Sequence, residues 1–212
     1  MSIRFDLAIL VAAGLVLPQW AGAQSPMPIA IAGDAARGET LAYTCSGCHG
    51  VETAVNAYPT YHVPKLGGQN ADYLEVALQG YRQGTRAHAT MQAQAAALTD
   101  QDIADLAAYF AGIGGEPARG ISSAGAEAIR QGEEQSATCA ACHGPDGIAL
   151  APQWPNLAGQ HRSYLLESMK QYRESERTDP VMAPLVSQLD DETLARIAAY
   201  YAAIGGLYPT RR

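Results

Sequence analysis

The chain has 212 residues, room for one large domain or two small ones. Hydrophobic residues make up 48%, enough for a core, but alanine dominates it, and phenylalanine and tryptophan occur only twice each. A net charge of −7, with no basic stripe anywhere, excludes a nucleic-acid-binding role.

Arg4, the apolar run Leu7 to Leu17 and the A-x-A-like triplet Ala21-Gly22-Ala23 read as a secretory signal peptide over residues 1–23. The run is too short for a comfortable membrane span, so retention as an N-terminal anchor is the lesser alternative, and no later segment could cross a bilayer. Arg4 and Asp6 cancel, so the exported chain keeps its charge. A proline- and alanine-rich lead follows over residues 24–33. Asp34 is placed to cap a helix running through Arg37, Leu41 and Tyr43 into Cys45. Residues 50–63 look irregular. After the segment Pro64 to Gln69, the residues Tyr73, Leu74, Ala77, Leu78 and Tyr81 recur at helical spacing. A loop from Gly84 to His88 leads to Met91. Thr99 and Asp102 match a capping box ahead of the stripe Ile103, Leu106, Ala107, Phe110, which predicts a closing helix. Gly114-Gly115 ends that helix, and residues 114–123 read as a linker.

Beyond the linker the chain repeats itself. A shift of 94 residues lays Gly38-Glu39 on Gly132-Glu133 and Cys45 to His49 on Cys139 to His143. From Pro64 onward the shift is 91, so the first copy carries three extra residues before that point. It lays Pro64 on Pro155, Gly68-Gln69 on Gly159-Gln160, Tyr73 on Tyr164, Tyr81-Arg82 on Tyr172-Arg173, and Met91 on Met182. The predicted fold is therefore all-α, with two tandem domains related by internal duplication, residues 24–117 and 118–212.

Each copy holds one C-x-x-C-H pentapeptide, Cys45-Ser46-Gly47-Cys48-His49 and Cys139-Ala140-Ala141-Cys142-His143. This is the attachment pattern of a c-type haem. Two thiols two residues apart add across the porphyrin vinyl groups, and the adjacent histidine lies under the iron as its proximal ligand. A zinc site would need further cysteines or paired histidines at ligand spacing, and all four cysteines are already used. A thioredoxin-like motif would need a βαβ setting, which the sequence lacks. Cys45, Cys48, Cys139 and Cys142 are thus the expected covalent anchors of two haems, and His49 and His143 the expected iron ligands. Met91, 42 residues after His49, and Met182, 39 after His143, correspond under the repeat and are the expected opposite ligands. A thioether there favours ferrous iron and raises the potential. Met169 falls inside a helix and reads as core.

Other readings concern the surroundings. His62, His88 and His161 have no histidine counterparts in the other copy and read as surface residues. Pro64 and Pro155 could offer backbone carbonyls to the proximal imidazoles. Gly38 and Gly132 would let the first helix of each copy approach the last. Gln69, Tyr73 and Arg82, with Gln160, Tyr164 and Arg173, suit haem propionates. Ordinary packing and helix-end charge are the plainer alternatives for the tyrosines and arginines.

The two pentapeptides, the Pro-x-Leu-x-Gly-Gln segments, the matched methionine loops and the closing helix over 189–201 together resemble the dihaem cytochrome c4 family. The resemblance covers residues 33–207. It implies two fused class I cytochrome c domains, two covalent c-type haems and one-electron transfer in the bacterial periplasm. It also implies redox proteins as donor and acceptor, often with a terminal oxidase downstream, and allows association with the inner membrane. It implies an electron-transfer protein and not an enzyme. The alternative is the dihaem cytochrome subunit of a flavin- or quinone-linked dehydrogenase complex. A peroxidase would need an open iron position, which two matched methionines argue against. The first copy departs from the pattern at Val51 to Val63, which is longer and carries Tyr58, Tyr61 and His62.

Overall fold

Asp34 does cap the first helix: its side chain accepts the N–H groups of Ala36 and Arg37 at the start of α1 (Ala35–Leu41). The computed structural model describes residues 31–114 and 126–210. The expected signal peptide, most of the lead and most of the linker lie outside the described residues. The first half continues with α2 (Ser46–His49), α3 (Ala71–Gln83), α4 (Ala89–Ala96) and α5 (Asp100–Gly112). The second half repeats the order as α6 (Ala126–Gln135), α7 (Ala140–His143), α8 (Arg162–Arg173), α9 (Met182–Val186) and α10 (Asp191–Ala203). No strand occurs among the described residues, only isolated bridges.

Each half is built on one helix crossing, α1 over α5 and α6 over α10. Glycine permits it. A Cβ on Gly38 would lie 2.0 Å from the Asp105 carbonyl oxygen, and one on Gly132 would lie 2.3 Å from that of Arg196. The capping box over Thr99 and Asp102 forms, and Asp190 caps α10 through the N–H of Thr193. α3 and α8 then cover the closing helices. The first core gathers Ala42, Leu74, Leu106, Ala107 and Phe110. The second gathers Ile129, Leu165, Ile197, Tyr201 and Ile204 among others, with Met169 packed against it as expected.

From Ile31 onward the chain forms one compact unit, so the halves meet along a seam. The seam has pseudo-twofold symmetry. The Gln69 amide donates to the Asn156 carbonyl (3.0 Å), and its oxygen accepts the Asn156 N–H (2.8 Å). Gln160 makes the same pair with Lys65, at 3.0 and 2.9 Å. Lys65 and Asn156 are equivalent under the 91-residue shift. The longer first-copy segment adds to the seam: the His62 backbone N–H reaches Ser163 Oγ at 3.0 Å, and its ring stacks on His161 with centroids 4.8 Å apart. His62 and His161 are therefore half-buried against each other, not the independent surface residues that their lack of counterparts suggests. The tail crosses back as well: Gly67 and Tyr208 exchange backbone hydrogen bonds, and the Thr210 N–H donates to the His49 carbonyl.

Two stability outcomes follow. Gly84 ends α3 in the left-handed region (φ 78°), and Ser175, its equivalent, is held at φ 64°. A side chain pays for that conformation, so Ser175→Gly is expected to raise stability by about 0.5–1 kcal/mol, measured by thermal melting of the holoprotein. Gly132→Ala forces α6 away from α10 and is expected to cost about 1–3 kcal/mol; an unchanged melting temperature would contradict the close-crossing account.

Candidate haem sites

The two pentapeptides sit at the same place in each half. Each begins where a helix has just ended and coils into one short helix, α2 or α7, that carries Cys48-His49 or Cys142-His143. None of the four cysteines is in a disulfide, as attachment requires. Burial pushes the Cys45 and Cys139 thiols up from their ordinary value, while Cys48 is exposed. Among the described residues no three His, Cys, Asp or Glu side chains form a group able to hold a metal ion.

The imidazoles are oriented by backbone. His49 Nδ1 lies 2.7 Å from the Pro64 carbonyl oxygen, and His143 Nδ1 lies 2.9 Å from that of Pro155. A carbonyl only accepts, so Nδ1 carries the proton in both rings, and Nε2 presents a lone pair. Burial holds both imidazoles below their usual value, although the proline carbonyls pull the other way. Both rings are thus neutral at pH 7, the form that binds iron. Proline serves this role well because its fixed φ steadies the carbonyl that it carries.

The methionine loops return to these histidines. Met91 lies in the first turn of α4 and Met182 opens α9, and both are half-buried. His88 is close enough to His49 to depress it electrostatically, and Asp179 close enough to His143 to raise it. His88 and Asp179 are equivalent, each three residues before its methionine. Each also fixes that methionine's backbone: His88 Nδ1 accepts the Met91 N–H (3.2 Å), and Asp179 Oδ1 accepts the Met182 N–H (2.8 Å). With Nδ1 accepting, His88 Nε2 is the donor, and it faces Asn56 Oδ1 at 3.2 Å. His88 is therefore half-buried and fully engaged, a loop-setting residue and not a surface one. Sequence reasoning missed this pair because His and Asp look unrelated; their shared ability to cap an N–H was the available signal.

The six residues that suit propionates in the sequence have protein partners here. Arg82 donates to the Leu98 carbonyl (2.8 Å) and pairs with Asp100. Arg173 donates to the Leu189 carbonyl (3.3 Å) and pairs with Asp191 at 2.7 Å. Both tie the end of one helix to the start of the closing helix. Gln69 and Gln160 bridge the seam instead. Tyr73 and Tyr164 do face a cation, but it is Arg86, which bonds both hydroxyls.

The surroundings fit a haem in each half. Two thiols, a neutral imidazole with a free Nε2 and a methionine loop recur in matched positions. Buried polar atoms without partners, among them Arg86 Nε, Arg177 Nε and Ser168 Oγ, lie on and beside α3 and α8.

Comparison with known proteins agrees with this geometry. The family described as Cytochrome c matches residues 35–113 and again 129–203. Cytochrome c4 of Pseudomonas aeruginosa is 32% identical over 80% of this chain and 88% of its own length. The thiosulfate dehydrogenase electron acceptor of Stutzerimonas stutzeri is 33% identical over 96% of both chains. The crystal structure of reduced recombinant cytochrome c4 from Pseudomonas stutzeri superposes with a TM-score of 0.69 at 27% identity, over 82% of this chain and 100% of that one. With both copies matched and relatives similar through both halves, the chain belongs to the cytochrome c family and, within it, to the dihaem cytochrome c4 group: an electron carrier with two covalent c-type haems.

Proposed function

We propose that this chain is a periplasmic shuttle that takes single electrons from a respiratory donor and passes them towards a terminal oxidase. Residues 1–23 are removed on export; among the described residues no helix is long and apolar enough to cross a membrane. The domains run over residues 24–117 and 118–212. Cys45 and Cys48 hold the first haem as thioethers, and Cys139 and Cys142 hold the second. His49 with Met91, and His143 with Met182, would ligate the two irons. The observation that carries this reading is the doubled geometry of a carbonyl-bonded Nδ1 that leaves Nε2 free.

When bound, the haem supplies an iron that cycles between ferric and ferrous states. A methionine ligand on each iron would leave no site for substrate, which favours a carrier over an enzyme. The exposed apolar residues Val51 and Leu150, close in sequence to the two motifs, offer contact surfaces to redox proteins. A second reading, electron acceptor of a dehydrogenase, is favoured by one observation. The relative similar over 96% of both chains carries the name thiosulfate dehydrogenase electron acceptor.

Rapid mixing separates the two. The reduced protein is expected to be oxidised quickly by membranes that contain a terminal oxidase. Isolation in a stable complex with a dehydrogenase, without turnover by those membranes, would replace the shuttle with the second reading.

The site assignment has its own tests. The intact mass of the mature protein should equal the polypeptide from Gln24 plus two haems; a gain of one haem rules the assignment out. Met91→Ala and Met182→Ala should each abolish part of the near-infrared sulfur–iron band and open one iron to cyanide. Met169→Ala should do neither, since that side chain packs in the second core.

A further inference from the structure

Two guanidinium groups meet at the seam, and among the described residues neither forms an ion pair with a carboxylate. Arg86 and Arg177 are equivalent under the duplication and pair as an antiparallel bridge between the halves. Arg177 is only 4% exposed and Arg86 is half-buried. Each cation stands between the two tyrosines of its own half. Arg86 lies 5.8 Å from the Tyr73 ring centre and 4.8 Å from that of Tyr81, and Arg177 lies 5.7 Å from Tyr164 and 5.8 Å from Tyr172. Arg86 also crosses the seam, donating to Tyr73 Oη at 3.0 Å and to Tyr164 Oη at 2.8 Å.

The largest electrostatic influences on Arg86 are tyrosines, and those on Arg177 are tyrosines and Arg86 itself. Ring faces offset only part of the cost of burying a cation. The Nε of each arginine is buried without a hydrogen-bond partner, and such groups ordinarily find one. Burial raises the Tyr164 phenol, yet Arg86 and Arg177 together pull it down to about 7.

The position says what the missing anion is. Arg86 stands five residues before Met91, and Arg177 five before Met182. His88 feels both arginines, and His49 feels His88, so the cluster borders the first haem site. A c-type haem brings two carboxylates, on the edge away from the vinyl carbons bonded to cysteine. We propose that Arg86 and Arg177 form a single cradle, shared across the seam, for propionates of both haems, with Tyr73 and Tyr164 as its neutral donors. This rests on the haem ligation described above and not on the choice of redox partner. A guanidinium forks onto a carboxylate through two parallel bonds. Neutralising a propionate removes negative charge that favours ferric iron, so the cradle raises the potential. Because Arg86 bonds tyrosines of both halves, its removal reaches both haems.

The test is a spectroelectrochemical titration of the full holoprotein with Arg86→Gln, Arg177→Gln and, as control, Arg82→Gln. The control makes the same change in charge at a residue bonded to Leu98 and Asp100. Either cradle variant should lower both midpoints, each by about tenfold in the ferrous-to-ferric ratio at fixed potential, which is about 59 mV for one electron. The control should shift neither by as much. Unchanged midpoints, a shift confined to one haem, or a control shift of equal size would overturn the proposal. Retention of the near-infrared sulfur–iron band separates this outcome from a failure of the ligand assignment. Should a glutamine variant fail to mature with both haems, the lysine variant keeps the charge but not the fork. The propionate carboxylate stretch in its redox-difference infrared spectrum should then move, and an unmoved stretch equally overturns the cradle.

Discussion

A neutral imidazole held at one tautomer and one angle is the constraint on which the rest of this structure depends. A proton on Nδ1 leaves the lone pair on Nε2, and a backbone carbonyl enforces that choice without adding charge. The carbonyls of Pro64 and Pro155 do so. A carbonyl can orient a ring only if its own peptide is fixed, and the seam supplies the fixing. Lys65 and Asn156, the residues that follow the two prolines, are each clamped by a glutamine amide from the opposite half. Each half therefore holds the imidazole-orienting peptide of the other. Duplication has produced two mutually supported sites, and the single compact unit from Ile31 onward is the consequence.

The same dependence explains the sparse core. The first half buries few large side chains, and Ala42 and Ala107 occupy central positions. Small domains bury a lower fraction of their apolar surface. Porphyrin bulk compensates, and so does close helix contact at Gly38 and Gly132, where no Cβ could fit. The tail reinforces the first half, since Thr210 bonds the carbonyl of His49 itself. The strand-like excursion at Val55 and His62 packs on the second half through Ser163 and His161.

What was legible in the sequence were features with local or periodic causes. The caps at Asp34 and Thr99 follow from side chains that reach backbone N–H groups within one turn. The closing helices follow from their apolar stripes. The proline carbonyls and the two glycines were legible because the 94- and 91-residue shifts display each of them twice. The seam was not legible, because no local pattern says which face of one copy meets the other. Gln69 and Gln160 could have bonded any donor or acceptor, and Arg82 and Arg173 could have met propionates as easily as Asp100 and Asp191. Arg86 and Arg177 stood in register all along. They lie in polar loops, where an arginine ordinarily reads as solvated, and only the fold shows them brought together without a counterion. The histidines misled for the opposite reason. Without counterparts they looked unconstrained, yet His62, His88 and His161 are each constrained by residues distant in sequence.

Comparison of the halves shows where duplication has tolerated change. The ligand-orienting prolines, the clamping glutamines, the seam arginines and their tyrosines are kept on both sides. The outer helix contacts are not. Asp105, fully buried under α1, accepts the Asp34 N–H at 2.7 Å and pairs with Arg37, which also pairs with Asp102. Its counterpart in the second half is Arg196, which pairs with Glu192 along its own helix. One substitution falls inside the site. The position that caps the methionine loop is histidine in the first half and aspartate in the second. The two serve equally well as acceptors for an N–H, which is why the loop survives the change. They do not serve equally as charges. Burial, together with Arg177 and Arg86, holds His88 below its usual value and therefore neutral at pH 7, whereas Asp179 brings a carboxylate within electrostatic reach of His143. Negative charge there would favour ferric iron at the second site, and the first half has no carboxylate at the equivalent position. In the proposed cradle two arginines would act on both sites in common, whereas this carboxylate would act on one site alone. The shared cations would then set the level of the pair, and the unshared carboxylate would contribute to the difference within it.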